Sequence, residues 1–179
     1  MSGFNSRIVK RINNRYNGPA QKAAKTMAKK ISKIVVKRIP DYDSDLSYLG
    51  TFGKDKGRFG IEHSSDPQQY PYFNADNVEN MKEARQNYDR IMQYEKGNIM
   101  DCGVMAEAEI MTQKEGNDYW KIDHITSGGL WGLSSDSGNQ YFQDEAKNQL
   151  AELAETLAEF GFSQKEIKQA IKQAVIFPE

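Results

Sequence analysis

The sequence predicts an α+β fold in which a small antiparallel sheet is packed by helices. The clearest strand signal is the alternation of apolar and polar residues at 104–111, which is followed, after a turn-like segment at 114–118, by a second β-rich run at 119–126. The clearest helix signal is a stripe of apolar residues that step by four and three until Gly161 ends the run. This stripe consists of Ala146, Leu150, Leu153, Leu157 and Phe160.

The other elements follow from the same reasoning. Asp76 with Glu79 predicts the start of a central helix, and Ser137 with Gln140 and Ser163 with Glu166 predict two capped helices that form a C-terminal helical hairpin. The segment from 46 to 73 mixes aromatic residues with Gly and Pro, which favours short strands or an ordered loop. The predicted sheet therefore uses residues near 34–39, 46–62, 103–112 and 119–126, and the central helix covers 77–96.

A chain of 179 residues has room for one compact domain with an arm. Residues 1–40 are predicted to form a basic helical arm that leads into the first strand, and residues 41–179 to form an acidic α+β domain. Within the arm, Asn17-Gly18-Pro19 separates two short helices. The second helix carries an apolar stripe of Ala20, Ala24, Met27, Ile31 and Ile34, opposite a row of lysines.

The charges of the chain are strongly segregated. Residues 1–40 contain 11 Lys and Arg with no acid, whereas residues 41–179 contain 13 Lys and Arg against 25 Asp and Glu. The two parts therefore carry +11 and −12, and the formal net charge of −1 hides this division. An electrostatic binding function is the first expectation.

The basic arm is the main candidate binding surface. Lysines at a spacing of three to four residues can neutralise phosphates with little sequence readout. The same charges also suit an acidic protein partner, the acidic surface of this chain or plain solvation. A membrane surface is less suited, because the apolar stripe lacks the Trp, Leu and Phe that would bury in lipid. The candidate residues are Arg7, Lys10, Arg11, Arg15, Lys22, Lys25, Lys29, Lys30, Lys33, Lys37 and Arg38.

A second candidate surface lies on the first helix of the C-terminal hairpin. Its acidic residues are expected to project away from the leucine stripe. Carboxylates one helical turn apart lie about 6 Å from each other, so such a face could imitate a nucleic-acid backbone, although many acidic faces only keep a protein in solution. These residues are Asp144, Glu145, Glu152, Glu155 and Glu159.

Conventional catalytic chemistry has little support in the sequence. His63, His124 and Cys102 are the only His and Cys residues, and no hydrolase, metalloprotease or paired-His motif connects them. We expect no catalytic residue, no metal and no cofactor. The Gly- and Ser-rich stretch at 125–138 could cradle a phosphate at a helix start, but tight turns around a packed Trp131 are the simpler interpretation.

The expected location is the cytoplasm of a bacterial host. One cysteine cannot form an intrachain disulfide, and the sequence contains neither a secretory signal nor an apolar run of the roughly 18–20 residues that a membrane span needs. An acid-free amphipathic N-terminus also describes a mitochondrial presequence, but the lysine-rich second half of the arm is atypical of one.

Several segments resemble small uncharacterised proteins carried by bacteriophages, prophages and plasmids. The similarity is found at 38–50, at Tyr72-Phe73-Asn74 and, above all, at Ala106-Glu107-Ala108-Glu109-Ile110 followed by residues 125–132, and it spans about residues 35–175. That family has no established activity, so the resemblance implies a mobile-element accessory protein and assigns no site. Proteins of this setting are often non-catalytic inhibitors of host nucleases.

The combined expectation is a non-enzymatic accessory protein that inhibits a host defence nuclease complex, of the anti-CRISPR or anti-restriction type, through its charged surfaces. Its partner would be a host protein or a ribonucleoprotein complex. The alternative is a direct, non-specific DNA- or RNA-binding protein that uses the basic arm, with the acidic body serving homo-oligomerisation. A third hypothesis is a small hydrolase or nuclease with a pocket in the aromatic, Gly-rich middle of the chain.

Overall fold

A computed structural model describes residues 28–63, 70–114, 116 and 118–178, and it confirms the α+β class. The strands are β1 (Ala28–Pro40), β2 (Gly50–Gly53), β3 (Ile61–Glu62), β4 (Tyr72–Ala75), β5 (Asp101–Gln113), β6 (Trp120–Thr126), β7 (Leu130–Ser134) and β8 (Val175–Ile176). The α-helices are α1 (Met81–Glu95), α2 (Asn139–Glu159) and α3 (Gln164–Lys172), and one turn of 3-10 helix covers Ser47–Leu49.

The larger sheet has five strands and is built around β5. Its order is β6-β5-β1-β8, and β7 pairs with β5 beyond the end of β6. The pairs of β5 with β1, β6 and β7 are antiparallel, whereas β8 runs parallel to β1 at Val35 and Val36. The predicted hairpin of residues 104–111 and 119–126 is therefore confirmed as β5 and β6.

The main hydrophobic core lies between one face of this sheet and the C-terminal helical hairpin. Small side chains on β5, such as the fully buried Ala106 and Ala108, allow the leucines of α2 to approach the sheet closely. Ile34 and Val36 of β1 and Ile167 of α3 complete the contact. The opposite face of the sheet carries alternate residues of the same strands, and we call it the open face. Its β5 and β6 members include Met105, Glu107, Glu109, Met111, Trp120, Ile122 and His124.

A separate three-stranded sheet occupies the middle of the chain. Its order is β2-β4-β3, and helix α1 packs on it around Leu49, Phe73 and Ile91. The prediction that residues 46–62 join the main sheet is therefore wrong, although the expectation of short strands in this segment is confirmed. The reason is that Tyr72-Phe73-Asn74, predicted within a turn-rich region, forms the central strand β4 to which β2 and β3 pair.

The described part of the predicted second arm helix is also corrected. Residues 28–33 belong to β1, which begins six residues earlier than expected. A β-bulge between Ile31 and Lys33 inserts Ser32 into the ladder, so Ile31 and Ile34 face the core at a spacing of three residues. In the sequence, this spacing of three residues is the same as that of an apolar stripe on a helix, which is why a helix was predicted. The other members of the stripe, Ala20, Ala24 and Met27, lie outside the described residues.

The helix boundaries agree with the sequence in part. The capping box of Ser163 and Glu166 is confirmed, since the Ser163 Oγ accepts from the Glu166 amide at 3.3 Å and the Glu166 carboxylate accepts from the Ser163 amide at 2.8 Å. Helix α1 is capped by Asn80 instead of Asp76, and α2 begins at Gly138 without a side-chain cap. Among the described residues, no helix combines the length and apolarity needed to cross a membrane.

We expect Leu153→Ala to lower the free energy of unfolding by about 2–5 kcal/mol, because the removed side chain leaves a cavity in the core. Leu153 is 0% exposed, whereas Leu130 is 38% exposed and provides the control. Urea unfolding measures both variants. A loss for Leu130→Ala as large as that for Leu153→Ala would contradict the assigned position of the core.

Candidate nucleic-acid interface

Six lysines lie around the edge of the larger sheet where the first half of β1 contacts α3. On α3, the spacing of three and four residues places Lys165, Lys168 and Lys172 on one exposed face, away from the buried Ile167. On β1, the exposed lysines occupy the N-terminal half of the strand. We call this surface the basic edge, and it consists of Lys29, Lys30, Lys33, Lys165, Lys168 and Lys172.

Two grooves connect five of the six lysines of the basic edge, and Lys29 lines neither of them. One groove, of about 300 Å³, runs between residues 30–34 of β1 and the side of α3 that carries Glu166, Gln169 and Gln173. The other lies along the three α3 lysines and shares Gln169 with the first. Glu166 is the acidic residue that lines the first groove, and hydrogen bonds from Ser163 lower the pKa of its carboxyl. Its carboxylate is engaged in capping α3.

The lysines of β1 make few contacts that would compete with an anionic ligand. The Lys29 Nζ donates to the Phe160 carbonyl at 2.5 Å and lies 4.7 Å from the centre of the Phe162 ring. The Lys30 Nζ lies 4.8 Å from the centre of the Trp120 ring. Within the described ranges, no ion pair involves any lysine of the basic edge.

Two other residues of the predicted basic surface are engaged within the fold. Lys37 forms an ion pair of 2.9 Å with Glu107. The Arg38 guanidinium carbon lies 3.7 Å from the centre of the Phe142 ring and 4.8 Å from that of Phe177, so it packs on the core. These two cations therefore stabilise the sheet and its edge, and they do not extend the basic edge.

The remaining residues of the predicted arm surface lie outside the described residues. They are joined to the basic edge through the chain itself, which enters β1 at Ala28 beside Lys29 and Lys30. These residues are Arg7, Lys10, Arg11, Arg15, Lys22 and Lys25.

The predicted acidic face of α2 is smaller than expected. The expectation that Glu145 projects into solvent is wrong, because Glu145 is only 8% exposed and accepts hydrogen bonds from Asn148 and Gln149. Glu152 is exposed, but its carboxylate accepts from the Gly128 amide at 2.7 Å.

The other three members of that face are exposed. Asp144 pairs with Lys147 at 2.7 Å and accepts from Gln140, and the hydrogen bond from Gln140 is the main cause that lowers the pKa of its carboxyl. Glu155 and Glu159 lie one helical turn apart and complete the exposed set. Four of the five predicted carboxylates are therefore exposed, and Glu155 and Glu159 are the two that make no side-chain hydrogen bond or ion pair within the described residues.

The Gly- and Ser-rich stretch has its backbone amides occupied by side chains of the chain itself. The Gly129 amide donates to Gln149 at 3.1 Å and the Gly132 amide to Asp41 at 3.3 Å, in addition to the bond from Gly128 to Glu152. Gly129 and Gly132 have φ angles of 78° and 73°, which favour glycine. These contacts support tight backbone conformations at Gly129, just before β7, and at Gly132, within β7, over a phosphate cradle.

The three candidates for conventional catalysis lie in different places. His63 packs on Phe52, and its Nδ1 is 3.1 Å from the Tyr88 hydroxyl. His124 is on the open face, 3.2 Å from Glu107. The buried Cys102 donates to the Leu133 carbonyl, and burial raises the pKa of its thiol.

The aromatic, Gly-rich middle of the chain does form a groove, of about 480 Å³, beside Asn74. Arg58 and Glu79 are among its lining residues, and neither His63 nor His124 lines it. The geometry therefore does not unite the residues on which the hydrolase or nuclease hypothesis depends. In the part of the chain that is described, no cluster of three His, Cys, Asp or Glu side chains could hold a metal ion.

A polar network joins α1 to β5 and β7. The Tyr94 hydroxyl donates to Asp101 at 2.6 Å, and Arg90 donates to Ser134 at 2.8 Å and to Asp136 at 3.2 Å. The hydrogen bond from Arg90 lowers the pKa of Asp136, while burial, aided by the bond to Asp101, raises the pKa of Tyr94 to about 12. This network holds the smaller sheet and its helix against the larger one.

Comparison with protein-family models, with curated proteins and with solved structures gives no match to this chain. Function is therefore argued from the residues and their geometry. The α3 lysines were missed by the sequence reasoning, although a signal was present. Lys165, Lys168 and Lys172 recur at helical spacing opposite Ile167 and Ile171, but they lie in the half of the chain whose total charge is strongly negative.

We expect Tyr94→Phe to flatten the loss of stability at high pH. Because the pKa of Tyr94 is raised in the folded protein, its stabilisation is complete below the unfolded value of about 10 and is lost as the pH rises towards about 12. Near pH 7 the variant should lose about 1–3 kcal/mol, since Asp101 loses a buried partner.

Urea unfolding between pH 7 and 12 measures this effect, and Tyr42→Phe is the control, because the ring of Tyr42 is 90% exposed. The control should follow the wild-type curve. Equal slopes for wild type and Tyr94→Phe above pH 10 would contradict the role assigned to the network.

Proposed function

We propose that this protein is a non-enzymatic mobile-element accessory protein that binds nucleic acid non-specifically through the basic edge, in the cytoplasm of a bacterial host. The observation that carries the proposal is that Lys29, Lys30 and Lys33 lie on a strand that contacts the helix carrying the other three lysines. The resemblance to phage and plasmid proteins supports the genetic setting and does not identify the ligand.

The arrangement of the lysines suits a phosphate backbone. Along α3, the steps from Lys165 to Lys168 and on to Lys172 correspond to rises of about 4.5 and 6 Å. A nucleic-acid strand carries a charge about every 3.4 Å, so the row of lysines can contact successive or alternate phosphates. Flexible ammonium groups act as point charges and read little sequence, which favours non-specific binding.

Docking of the basic edge on this chain's own acidic surface is less favoured. In the described residues, the lysines of β1 and α3 form no ion pair with α2, whose exposed Glu155 and Glu159 are likewise without one. The six cations of the basic edge therefore remain available to an external anion. The acid-free residues 1–27 would add to the same binding surface through long-range attraction.

A second candidate function is the inhibition of a host defence nuclease complex, of the anti-CRISPR or anti-restriction type. The observation that favours it is the exposed pair Glu155 and Glu159 on α2, whose one-turn spacing of about 6 Å is close to two charge steps of about 3.4 Å along a nucleic-acid strand. The partner would be a host protein or a ribonucleoprotein complex. This function is compatible with nucleic-acid binding, because the two surfaces are on different helices.

We expect the triple variant Lys165→Gln, Lys168→Gln and Lys172→Gln to bind duplex DNA and single-stranded DNA more weakly than wild type. Each lost phosphate contact should reduce the steepness of the plot of log affinity against log salt by about 0.9 for duplex DNA, so the total change is about 2–3. Fluorescence anisotropy at several salt concentrations measures both quantities.

The matched control is Lys54→Gln, Lys82→Gln and Lys96→Gln, which removes the same number of charges from exposed lysines outside the basic edge. This control should retain nearly all of the affinity. If both triple variants lose the same affinity, binding depends on net charge alone and the assigned surface is wrong.

For the second candidate, we expect Glu155→Gln with Glu159→Gln to abolish capture of a nuclease complex from host cells, with capture by wild type surviving treatment with added nuclease. The control is Asp144→Asn, which changes a carboxylate already paired with Lys147. Capture that disappears on nuclease treatment would exclude direct binding to the defence protein and would leave nucleic acid as the bridge.

A further inference from the structure

The basic edge continues onto the open face at one end of the larger sheet, and this end combines lysines with exposed aromatic rings. Trp120 is 37% exposed at the start of β6, and the neighbouring Tyr119 is also exposed. The Lys30 Nζ lies 4.8 Å from the centre of the Trp120 ring. A positive charge and an aromatic surface are thus held at the same point.

The strand register defines what surrounds Trp120. The first row across the open face is Ala28, Gln113 and Trp120, and the second row is Lys30, Met111 and Ile122. These two rows contain no acidic residue. Acidic residues begin in the third row, where Glu109 lies between Lys33 and His124.

The acidic residues of the open face limit the path of an anionic ligand. Glu107 follows Glu109 along β5, and hydrogen bonding to Lys37 lowers the pKa of its carboxyl, so it is ionised at neutral pH. A polyanion that ran along β5 would meet both carboxylates. A polyanion that crosses the end of the sheet, from Trp120 past Lys30 to Lys33 and α3, meets several lysines first. Glu109 beside Lys33 and Glu166, whose carboxylate caps α3, are the acidic residues at the far end of this path.

We propose that the ligand of the basic edge is single-stranded nucleic acid, with one base stacked on Trp120 and the adjacent phosphates bound by Lys30 and Lys33. This inference rests on the proposed function and adds the class of nucleic acid. Lysines alone bind duplexes and single strands alike, whereas an aromatic ring contributes only when a base is free to leave its own stack. In a duplex, the bases are stacked on one another, so Trp120 adds nothing.

The open face also provides a matched tryptophan. Trp131 on β7 is 46% exposed and packs over Gly103, at the opposite end of β5 from Trp120. Gly132, the residue next to it, donates its amide to Asp41, so its surroundings include an acidic side chain. Trp131 therefore has the same ring on the same sheet without the basic edge beside it.

The experiment compares the full-length Trp120→Ala, Trp120→Phe and Trp131→Ala variants. Each is titrated with an oligothymidylate of about 12 nucleotides, which is within the usual range of ~4–16 nucleotides for a single-strand site, and with a duplex of the same length. Trp120→Ala should weaken single-strand binding roughly 5- to 150-fold, as expected for one stacked base, and leave duplex binding unchanged. Trp120→Phe should retain most of the affinity, and Trp131→Ala should match wild type.

Tryptophan fluorescence provides a second readout, which detects stacking on Trp120 without a variant that weakens binding. Because the chain contains two tryptophans, Trp131→Phe leaves Trp120 as the only indole, and the oligothymidylate should quench its fluorescence. In the reciprocal variant Trp120→Phe, the oligothymidylate should leave the fluorescence of Trp131 nearly unchanged.

The outcomes separate this inference from the proposed function. If Trp120→Ala binds both oligonucleotides as wild type does, or weakens both equally, while the α3 lysine variant weakens both, the stacking proposal is overturned and non-specific nucleic-acid binding stands. If wild type binds neither oligonucleotide, both are overturned, and the basic edge is left to an acidic protein partner.

Discussion

The antiparallel pairing of β1 with β5 is the interaction on which the rest of the structure depends. Twelve residue pairs, from Ala28 with Gln113 to Pro40 with Cys102, join segments about 70 residues apart in the chain. The pairing places Ile34 and Val36 beside Ala106 and Ala108, which creates the apolar surface that α2 and α3 cover. It also brings the first half of β1 next to α3. The basic edge is therefore a product of long-range strand pairing, and residues 1–40 alone do not create it.

Much of the fold could be predicted because local patterns and tertiary packing agree there. The β5–β6 hairpin and the two C-terminal helices have regular apolar periods and clear ends, such as Gly161 with its φ of 81°. The apolar spacing of Ile31 and Ile34 wrongly predicted a helix, because the β-bulge at Ser32 gives a strand the same spacing of three residues. Strand β7 was missed because Gly129, just before it, and Gly132, within it, favour turns, and only pairing with β5 makes residues 130–134 a strand.

The candidate site could be predicted less well, because a charge in the sequence does not reveal its partner in space. Lys37 and Arg38 belong to the basic segment, yet Glu107 and Phe142 engage them across the fold. In the same way, Glu145 and Glu152 have the helical spacing of a solvent face but bond to groups within the domain. The division of the chain into a basic and an acidic part describes its composition, but it does not describe the surface of the folded protein. The surface that combines β1 with α3 depends on which segments become neighbours.

The bulge at Ser32 has a consequence for how this protein can change in evolution. Because the extra residue resets the alternation of β1, the strand before it and the strand after it face the core independently. Lys29 consequently reaches the loop between the two C-terminal helices, while Lys30 reaches Trp120 on the other side of the sheet. Ser32 thus separates the charged N-terminal part of β1 from the part whose hydrophobic side chains must stay in register with β5. Insertions on its N-terminal side could alter the positions of the Lys29 and Lys30 charges without disturbing the core that Ile34 and Val36 anchor.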